Sequence, residues 1–446
     1  MWPRKDAVML VILYRSLTAL AYGFYRFVVL PRRVRNGKED PERVREKLGY
    51  TAAVRPKGRL IWFHAASVGE SLSILRLVQE IQRHFPHLHI LLTSGTRTSA
   101  QLIRKRFPQT VVHHYAPLDF SPCIDRFLAH WQPDGVCWVE SELWPNTLAA
   151  IKNRGIPAVL INMRLSDRSL KRWQKLPGML KALLGTFKIV LAQTQKLAGT
   201  LQHMGCANVL FKGNLKYASD IPDFPTALAR RLQSEAQTRS MWLATSTHPG
   251  EEIQMIQAHQ QVRAKHFEAL LVLAPRHPHR TGDIQALLEK SGESFLLYSR
   301  WLQGQALAGE SILLIDQIGV LPLFYGLCPV TFVGGTLVPH IGGHNMIEPL
   351  RQGSIPIFGP LYGNFIEIAS EMLEAKVGIR IQGPDDLGTQ LSALFATPEN
   401  RSPYLEHQRA FLADKQAVLS HILKAIQPTL DPLSGQEQQA RAHADA

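Results

Sequence analysis

Residues 330–350, VTFVGGTLVPHIGGHNMIEPL, combine two glycine pairs with His344, Asn345 and Glu348. The run 330–333 has the β-branched, apolar character of a buried strand, and Gly334 and Gly335 end it. Gly342 and Gly343 precede the polar group. Asn345 and Glu348 lie one helical turn apart, which turns both side chains to one face. A strand, a glycine loop and a helix start make a pocket for anions. Glycine lets the backbone approach a ligand, and the N–H groups of a first turn favour negative charge. Two glycine pairs with three polar residues in so short a span favour a ligand site over an ordinary turn.

Four other strand ends carry polar clusters. In His64-Ala-Ala-Ser-Val-Gly-Glu70, Gly69 allows a tight turn and Glu70 stands at a helix start. A carboxylate there can act as a general base, although taken alone it reads more simply as a first-turn acid that suits the helix dipole. Glu140 and Glu142 stand two apart in ESELWPN and would share one face of a strand. Such a pair is costly unless it binds a ligand or cation, and capping a helix before Trp144-Pro145 is an equal reading. Thr245-Ser-Thr-His248-Pro-Gly-Glu251-Glu252 and Ala274-Pro-Arg276-His277-Pro-His-Arg280 follow two further strands. Hydroxyls, a helix start and Arg276 together can hold a phosphate. A metal on His277 and His279 is disfavoured by the proline between them and by the lack of a nearby carboxylate pair. No DxD is present, so a Mg²⁺-nucleotide site of that type is unsupported.

The elements that must position these clusters read as an α/β fold. Strand-like runs lie at 59–65, 89–93, 111–115, 135–140, 158–162, 188–192 and 208–212, with helical patterns between most of them. Residues 70–85 form one such pattern, with Leu72, Leu75, Val78 and Ile81 on one face. The pattern pauses at the proline-rich stretch 220–225 and resumes with strands at 241–246, 269–275, 294–299, 311–316, 330–335 and 354–359. This alternation predicts two Rossmann-like lobes, 39–220 and 221–431, with a ligand cleft between them. Residues 432–446 are small and polar and read as a disordered tail.

The chain of 446 residues is long enough for two cores. Its four cysteines are far apart, which argues against a zinc ribbon or a disulfide framework. The formal net charge is +14, and the first 60 residues hold fourteen Lys/Arg against five acids. With no RRM, KH or helix-turn-helix signature, nucleic acid is not the expected partner. Residues 7–30 are apolar and aromatic, interrupted by Arg15 and Arg26, and the basic group Arg32, Arg33, Arg35 and Lys38 follows. The stretch is long enough to cross a bilayer. An arginine near the centre costs about 2.5–3.5 kcal/mol on insertion scales, so a helix lying in the interface is the second topology. Either way residues 1–38 read as a membrane anchor with its basic flank at anionic lipids.

Seven segments, HAASVGES, ESELWPN, INMRLS, GNLKY, ATSTHPGEE, LAPRHPHR and GGTLVPHIGGHNMIEP, resemble in order the bacterial 3-deoxy-D-manno-octulosonic acid (Kdo) transferases, a GT-B-type glycosyltransferase family. They run from about residue 60 to residue 360. The resemblance implies an inverting, metal-independent transfer of Kdo from CMP-Kdo to the tetraacyldisaccharide lipid A precursor, with no cofactor, at the cytoplasmic face of the inner membrane. It implies Glu70 as the base, and Glu142 and Lys216 as stabilisers of the transition state. It implies CMP contacts at Pro275 and Arg276, at Ile318, Gly319 and Val320, and at Asn345, Met346, Ile347 and Glu348. The chain departs from the family pattern at Ile318-Gly319-Val320, where Met-Gly-Glu is usual, and at Met346-Ile347, where Pro-Leu is common.

Two other function classes compete. Another GT-B enzyme, such as a nucleotide-sugar 2-epimerase or a different lipid glycosyltransferase, shares the fold, but an epimerase has no need of residues 7–30. A non-enzymatic membrane scaffold leaves Glu70, Arg276 and the 345–348 turn without a role.

Overall fold

The computed structural model describes residues 4–218, 224–236 and 239–434. They fall into two compact units, Met1–Asp220 with Gln416–Ala446, and Ile221–Lys415. The proline-rich junction falls largely on residues 219–223, outside the described residues.

In the first unit, strands β1 (Leu60–His64), β2 (His89–Ser94), β3 (Val111–Tyr115), β4 (Gly135–Val139), β5 (Ala158–Met163), β6 (Ile189–Ala192) and β7 (Val209–Phe211) form one parallel sheet. Its order is β3-β2-β1-β4-β5-β6-β7. β1, β4 and β5 are buried along their whole length, as expected where helices cover both faces. Alternate residues serve the two faces. Trp62 packs with Phe127, Trp131 and Trp138 on one side, whereas Ile61 and Phe63 join Ile74, Val78 and Ile81 on the other.

In the second unit, β8 (Met241–Thr247), β9 (Leu270–Pro275), β10 (Phe295–Leu297), β11 (Ile312–Leu314), β12 (Val330–Val333), β13 (Ile355–Phe358) and β14 (Ile379–Arg380) form a second parallel sheet. Its order is β10-β11-β9-β8-β12-β13-β14. Trp242 and Ala244 face one core, Leu243 and Val272 the other. The edge strand β14 has two residues, too short to leave an apolar run in the sequence.

Each sheet has a central reversal in its direction of growth, and in the second the chain also turns back from β10 to place β11 inside it. In the first the central reversal is between β1 and β4, in the second between β8 and β12. Open parallel sheets bind ligands beyond the carboxyl ends of their strands at such a reversal.

Two sequence expectations change. The helix Val418–Ser434 belongs to the first unit: Val418, Ile422, Ile426 and Leu430, a stripe at helical spacing, are buried against the same core as Ile74 and Val78. Residues 432–434 therefore continue a helix, and the rest of the expected tail lies outside the described residues. The second change concerns the amino terminus. Among the described residues, no helix is long and apolar enough to cross a membrane. The helix Arg4–Phe24, the π-helical turn Tyr25–Val29 and the helix Leu30–Arg35 follow one another. One face is docked on the first unit through polar groups. Tyr14 donates to Asp119 at 3.1 Å, Asn146 Nδ2 to Thr18 at 2.9 Å, and Arg126 to the Tyr22 hydroxyl at 3.1 Å. Tyr22 and Tyr25 pack on Phe120. A face committed to tyrosine hydroxyls and a domain surface is not a lipid-facing one. The opposite face leaves Met9, Leu13, Leu17, Leu20, Phe24 and Phe27 exposed.

Candidate active site

Beyond β1, Ser67 caps the helix Val68–His84 and accepts the Glu70 N–H. Glu70 answers with its carboxylate, which accepts the Ala66 N–H at 2.7 Å and the Ser67 hydroxyl at 2.9 Å. The S-x-x-E spacing is that of a capping box, but the carboxylate accepts the N–H of Ala66, one residue before the cap, in place of that of Ser67. Glu70 is nonetheless a first-turn acid of this helix. The same geometry fixes the carboxylate at the reversal of the sheet. Burial, and next the Glu140 charge, raise its pKa, while the Ala66 N–H and the Ser67 hydroxyl pull it back. A carboxylate raised in this way is a better proton acceptor near neutrality than an ordinary one.

Beyond β4, the backbone of Glu140 has φ 60°, a left-handed conformation unusual for a side chain other than asparagine or aspartate. Asn162, next to the end of β5, is also left-handed at φ 58°, which asparagine tolerates more readily. Such strain costs about 1–3 kcal/mol per residue and clusters at functional sites. Glu140 is buried, and Lys216 Nζ lies 3.5 Å from its Oε1. Asn162 Oδ1 accepts the Leu215 N–H at 3.1 Å, and Asn214 Oδ1 accepts the Lys216 N–H at 3.0 Å. These bonds hold the GNLKY segment across the strand ends.

Glu142 has a different partner. His64, on β1, lies opposite Trp138 of β4 in the register and its Nε2 is 3.2 Å from Glu142 Oε2. Thr93 Oγ1, which accepts the Trp62 Nε1–H at 2.8 Å, is 3.0 Å from His64 Nδ1. The Nδ1 contact with Thr93 and the Nε2 contact with Glu142 hold the ring from both sides. Three side chains from two strands, Trp62 and His64 of β1 and Thr93 of β2, thus orient one carboxylate. Asp119 completes this edge by accepting the Asn146 and Thr147 N–H groups at the start of the helix Pro145–Asn153.

In the second unit, Glu251 is fully buried and accepts four backbone N–H groups. Its Oε2 takes His248 at 3.0 Å and Gly335 at 2.8 Å, and its Oε1 takes Thr336 at 3.1 Å and Leu337 at 3.0 Å. Burial pushes its pKa up against the pull of those four donors. The glycine loop beyond β12 is therefore clamped to the start of the helix Glu251–Lys265. Gly334 is required there, since a Cβ would lie 2.5 Å from the Ser246 carbonyl oxygen. Gly335 has φ 70°, and a Cβ on it would meet Ile341 at 2.6 Å.

Arg276 follows β9 with its N–H on the Thr247 carbonyl at 3.0 Å. Its side chain is exposed and makes no ion pair among the described residues, whereas Arg280 is bound to the buried Glu252 at 2.8 Å. Pro275 ends β9. Ile318 is exposed in the loop after β11, Gly319 has φ 88°, and Val320 precedes the helix Leu321–Leu327. The helix after the glycine loop, Ile347–Arg351, has five residues. Asn345 lies before it, accepts the Ile347 N–H at 3.1 Å and donates to Glu348 at 2.9 Å. The two side chains meet, but as a cap and its partner, so the expected free first-turn N–H groups are in part occupied. Met346 and Ile347 are buried beneath them.

Residues 42–219 match the family described as 3-Deoxy-D-manno-octulosonic-acid transferase (kdotransferase). A probable mitochondrial 3-deoxy-D-manno-octulosonic acid transferase of Arabidopsis thaliana is 33% identical over 376 residues, covering 82% of this chain and 83% of that protein. The 3-deoxy-D-manno-octulosonic acid transferase of Rickettsia bellii is 30% identical over 418 residues, covering 93% and 98%. The chain belongs to the 3-deoxy-D-manno-octulosonic acid transferase family. It is accordingly a glycosyltransferase, and the epimerase and scaffold readings fall away. A glycosyltransferase structure from Rickettsia africae, 12% identical, covers 85% of this chain and 100% of its own with a TM-score of 0.56. That likeness concerns the fold alone and agrees with the GT-B type.

Within this family member, the first sheet gathers Glu70, Glu142 and Lys216 at its carboxyl edge. The second gathers Pro275, Arg276, the 318–320 segment and the 345–348 turn at its own. Spacing alone did not separate Glu140 from Glu142, and the resemblance named only Glu142. Only the fold shows that Lys216 pairs with Glu140 and that His64 holds Glu142. Nor did it assign Glu251, or a contact between His248 and His344, whose Nε2 atoms are 2.8 Å apart. The S-x-x-E spacing at Ser67 and the strict HPGEE order were the available signals.

Proposed function

We propose that this chain transfers Kdo from CMP-Kdo to a tetraacyldisaccharide lipid A precursor, with inversion at the anomeric carbon and without a metal. The observation that carries the reading is Glu70, a carboxylate of raised pKa fixed at the reversal of the first sheet beside the Glu140–Lys216 pair. An acceptor hydroxyl is a weak nucleophile, and Glu70 takes its proton as the new C–O bond forms. Lys216, steadied by Glu140, and Glu142, steadied by His64, line the place where charge develops. In the second unit, Arg276, which makes no ion pair among the described residues, supplies its guanidinium for the cytidylate phosphate. Pro275, Ile318–Gly319–Val320 and Asn345 through Glu348 line the remainder of the nucleotide site. With Val320 in place of the usual glutamate, a side-chain carboxylate contact to the nucleotide is absent on that side.

The amino-terminal helix lies in the membrane interface rather than through it. Its exposed apolar stripe enters the headgroup boundary of the inner membrane's cytoplasmic face, and Arg32, Arg33 and Arg35 meet anionic lipids. The Asn146–Thr18 bond ties that helix to the ESELWPN segment, and Tyr14 bonds Asp119, which itself accepts the Asn146 N–H; this supports delivery of a lipid acceptor to the same edge. Purified protein incubated with CMP-Kdo and the tetraacyl disaccharide tests the reading. CMP release with a product heavier by one or more Kdo units is expected, and CMP release that does not depend on the lipid would refute the acceptor.

A further inference from the structure

His248 and His344 come from opposite sides of the reversal in the second sheet, one after β8 and one in the loop after β12. Their ring planes differ by 2°, their centroids are 5.1 Å apart and their Nε2 atoms are 2.8 Å apart. The rings are therefore coplanar and edge to edge, joined by an N–H···N bond rather than stacked face on face. From the reading of this edge as the cytidylate site, we propose that His248 and His344 act together as a one-proton acceptor, and that binding of an anionic cytidylate ligand brings a proton onto the pair.

The stoichiometry follows from the bond. In the neutral pair one Nε2–H donates and the other Nε2 accepts, leaving one Nδ1 lone pair on the donating ring. A single added proton enters at that Nδ1 and leaves the N–H···N bond intact, now charge-assisted. A second proton would set two N–H groups against each other.

The surroundings keep the pair neutral while the site holds no anion. The titratable groups facing His248 are His277, whose ring is 5.9 Å away, with Arg276, Arg280, Glu252 and His344. Those facing His344 are His248, Arg276 and His277. Glu252 is engaged by Arg280, and the Glu251 carboxylate is occupied by four backbone donors, His248's own among them. Glu252 still favours an imidazolium at His248, but burial and the cationic and imidazole neighbours outweigh it. Burial first, and then these neighbours, hold His344 down at about 4 and lower His248 as well. An arriving phosphate reverses the sign of the local field and favours the charged form. In transfer, the sugar C–O bond breaks with its electron pair leaving on the phosphate oxygen. The shared proton then balances the charge added to the departing cytidylate, while the acceptor's own proton goes to Glu70.

The test uses cytidine 5′-(methyl phosphate), a diester with no titrating group near neutrality, in calorimetric titrations of the full chain. Paired buffers of unlike ionisation heat give the number of protons taken up. The wild type is expected to take up a proton fraction rising toward one as the pH falls from about 8 to about 6, with affinity weakening by up to about tenfold per pH unit on the way back. His344→Gln and His248→Gln should each bind without uptake and with a flat pH profile, and His277→Gln should retain uptake. Thermal melts establish that each variant is folded. Equal uptake in wild type and both pair variants, or none in a wild type that binds, overturns the proposal. A wild type that does not bind the diester at any pH removes the cytidylate site itself, and the proposal with it.

Discussion

Lys216 Nζ lies 3.5 Å from Glu140 Oε1, and Glu140 reaches that position only through a left-handed backbone. The same carboxylate is the second cause of the raised pKa of Glu70, after burial. Two consequences can be separated experimentally. Glu140→Gln should lower the maximal rate by about 10²–10³-fold, the scale of losing one group from a preorganised site. It should also move the acidic limb of kcat/KM. The base works deprotonated, so kcat/KM falls as pH drops through the Glu70 pKa. Removing a neighbouring negative charge lowers that pKa and shifts the limb to lower pH. A limb that stays in place in the folded variant would mean that another group titrates there.

Glu70→Gln keeps the size of the side chain and can still accept the Ala66 N–H, so the helix start should lose no more than about 1 kcal/mol. As a proton acceptor it is lost, and single-turnover transfer at saturating donor should fall by about 10²–10⁴-fold. Near-wild-type turnover would leave Glu70 a capping residue only and would make Glu142 the next candidate base.

Glu251→Gln probes the clamp on the glycine loop. Each carboxylate oxygen accepts two N–H groups, so whichever way the amide turns, two buried donors face an NH₂. At about 1–3 kcal/mol for each unsatisfied group, urea denaturation should show a loss of about 2–6 kcal/mol in the second unit. Donor KM should rise in parallel, because Gly335, Thr336 and Leu337 lose their anchor. A variant of unchanged stability would show that the loop holds its shape without Glu251.

Leu17 and Leu20 are 57% and 82% exposed on the amino-terminal helix, on the face turned from the domain. Replacing both with glutamate should abolish co-sedimentation with vesicles containing anionic phosphatidylglycerol. Stability should change by no more than about 0.5 kcal/mol, as for other exposed sites. Deleting residues 1–30 is the harsher experiment, since it strips partners from Asp119, Asn146 and Arg126, and lost stability is expected there. Vesicle binding that survives the double glutamate variant would place the membrane contact elsewhere.

The two parallel sheets were legible in the sequence because a strand buried on both faces must be apolar nearly throughout, as β1, β4, β5 and β9 are, and because thirteen strand-like runs alternate with helical patterns. The site motifs were legible for a related reason. Loops at strand ends need glycine for close approach, and polar residues beside them have no packing role to explain them. The amphipathic stripe of 418–434 was also present in the sequence, but a stripe states only that a partner exists. Tertiary structure chose the first unit's core as that partner. Residues 7–30 show the same division. Their length and apolarity announced a membrane segment, yet the tyrosines and Thr18 on one side became informative only once Asp119, Asn146 and Arg126 were found opposite them. The pairings within the site were beyond the sequence altogether. Glu140 and Glu142 are equivalent in composition and nearly so in position. A left-handed turn at Glu140 sends one carboxylate to Lys216 and the other to His64. Likewise His248 and His344, 96 residues apart, meet because β8 and β12 are neighbours at the reversal of the sheet. Strand order is set by how whole faces pack, and no local run of residues encodes it.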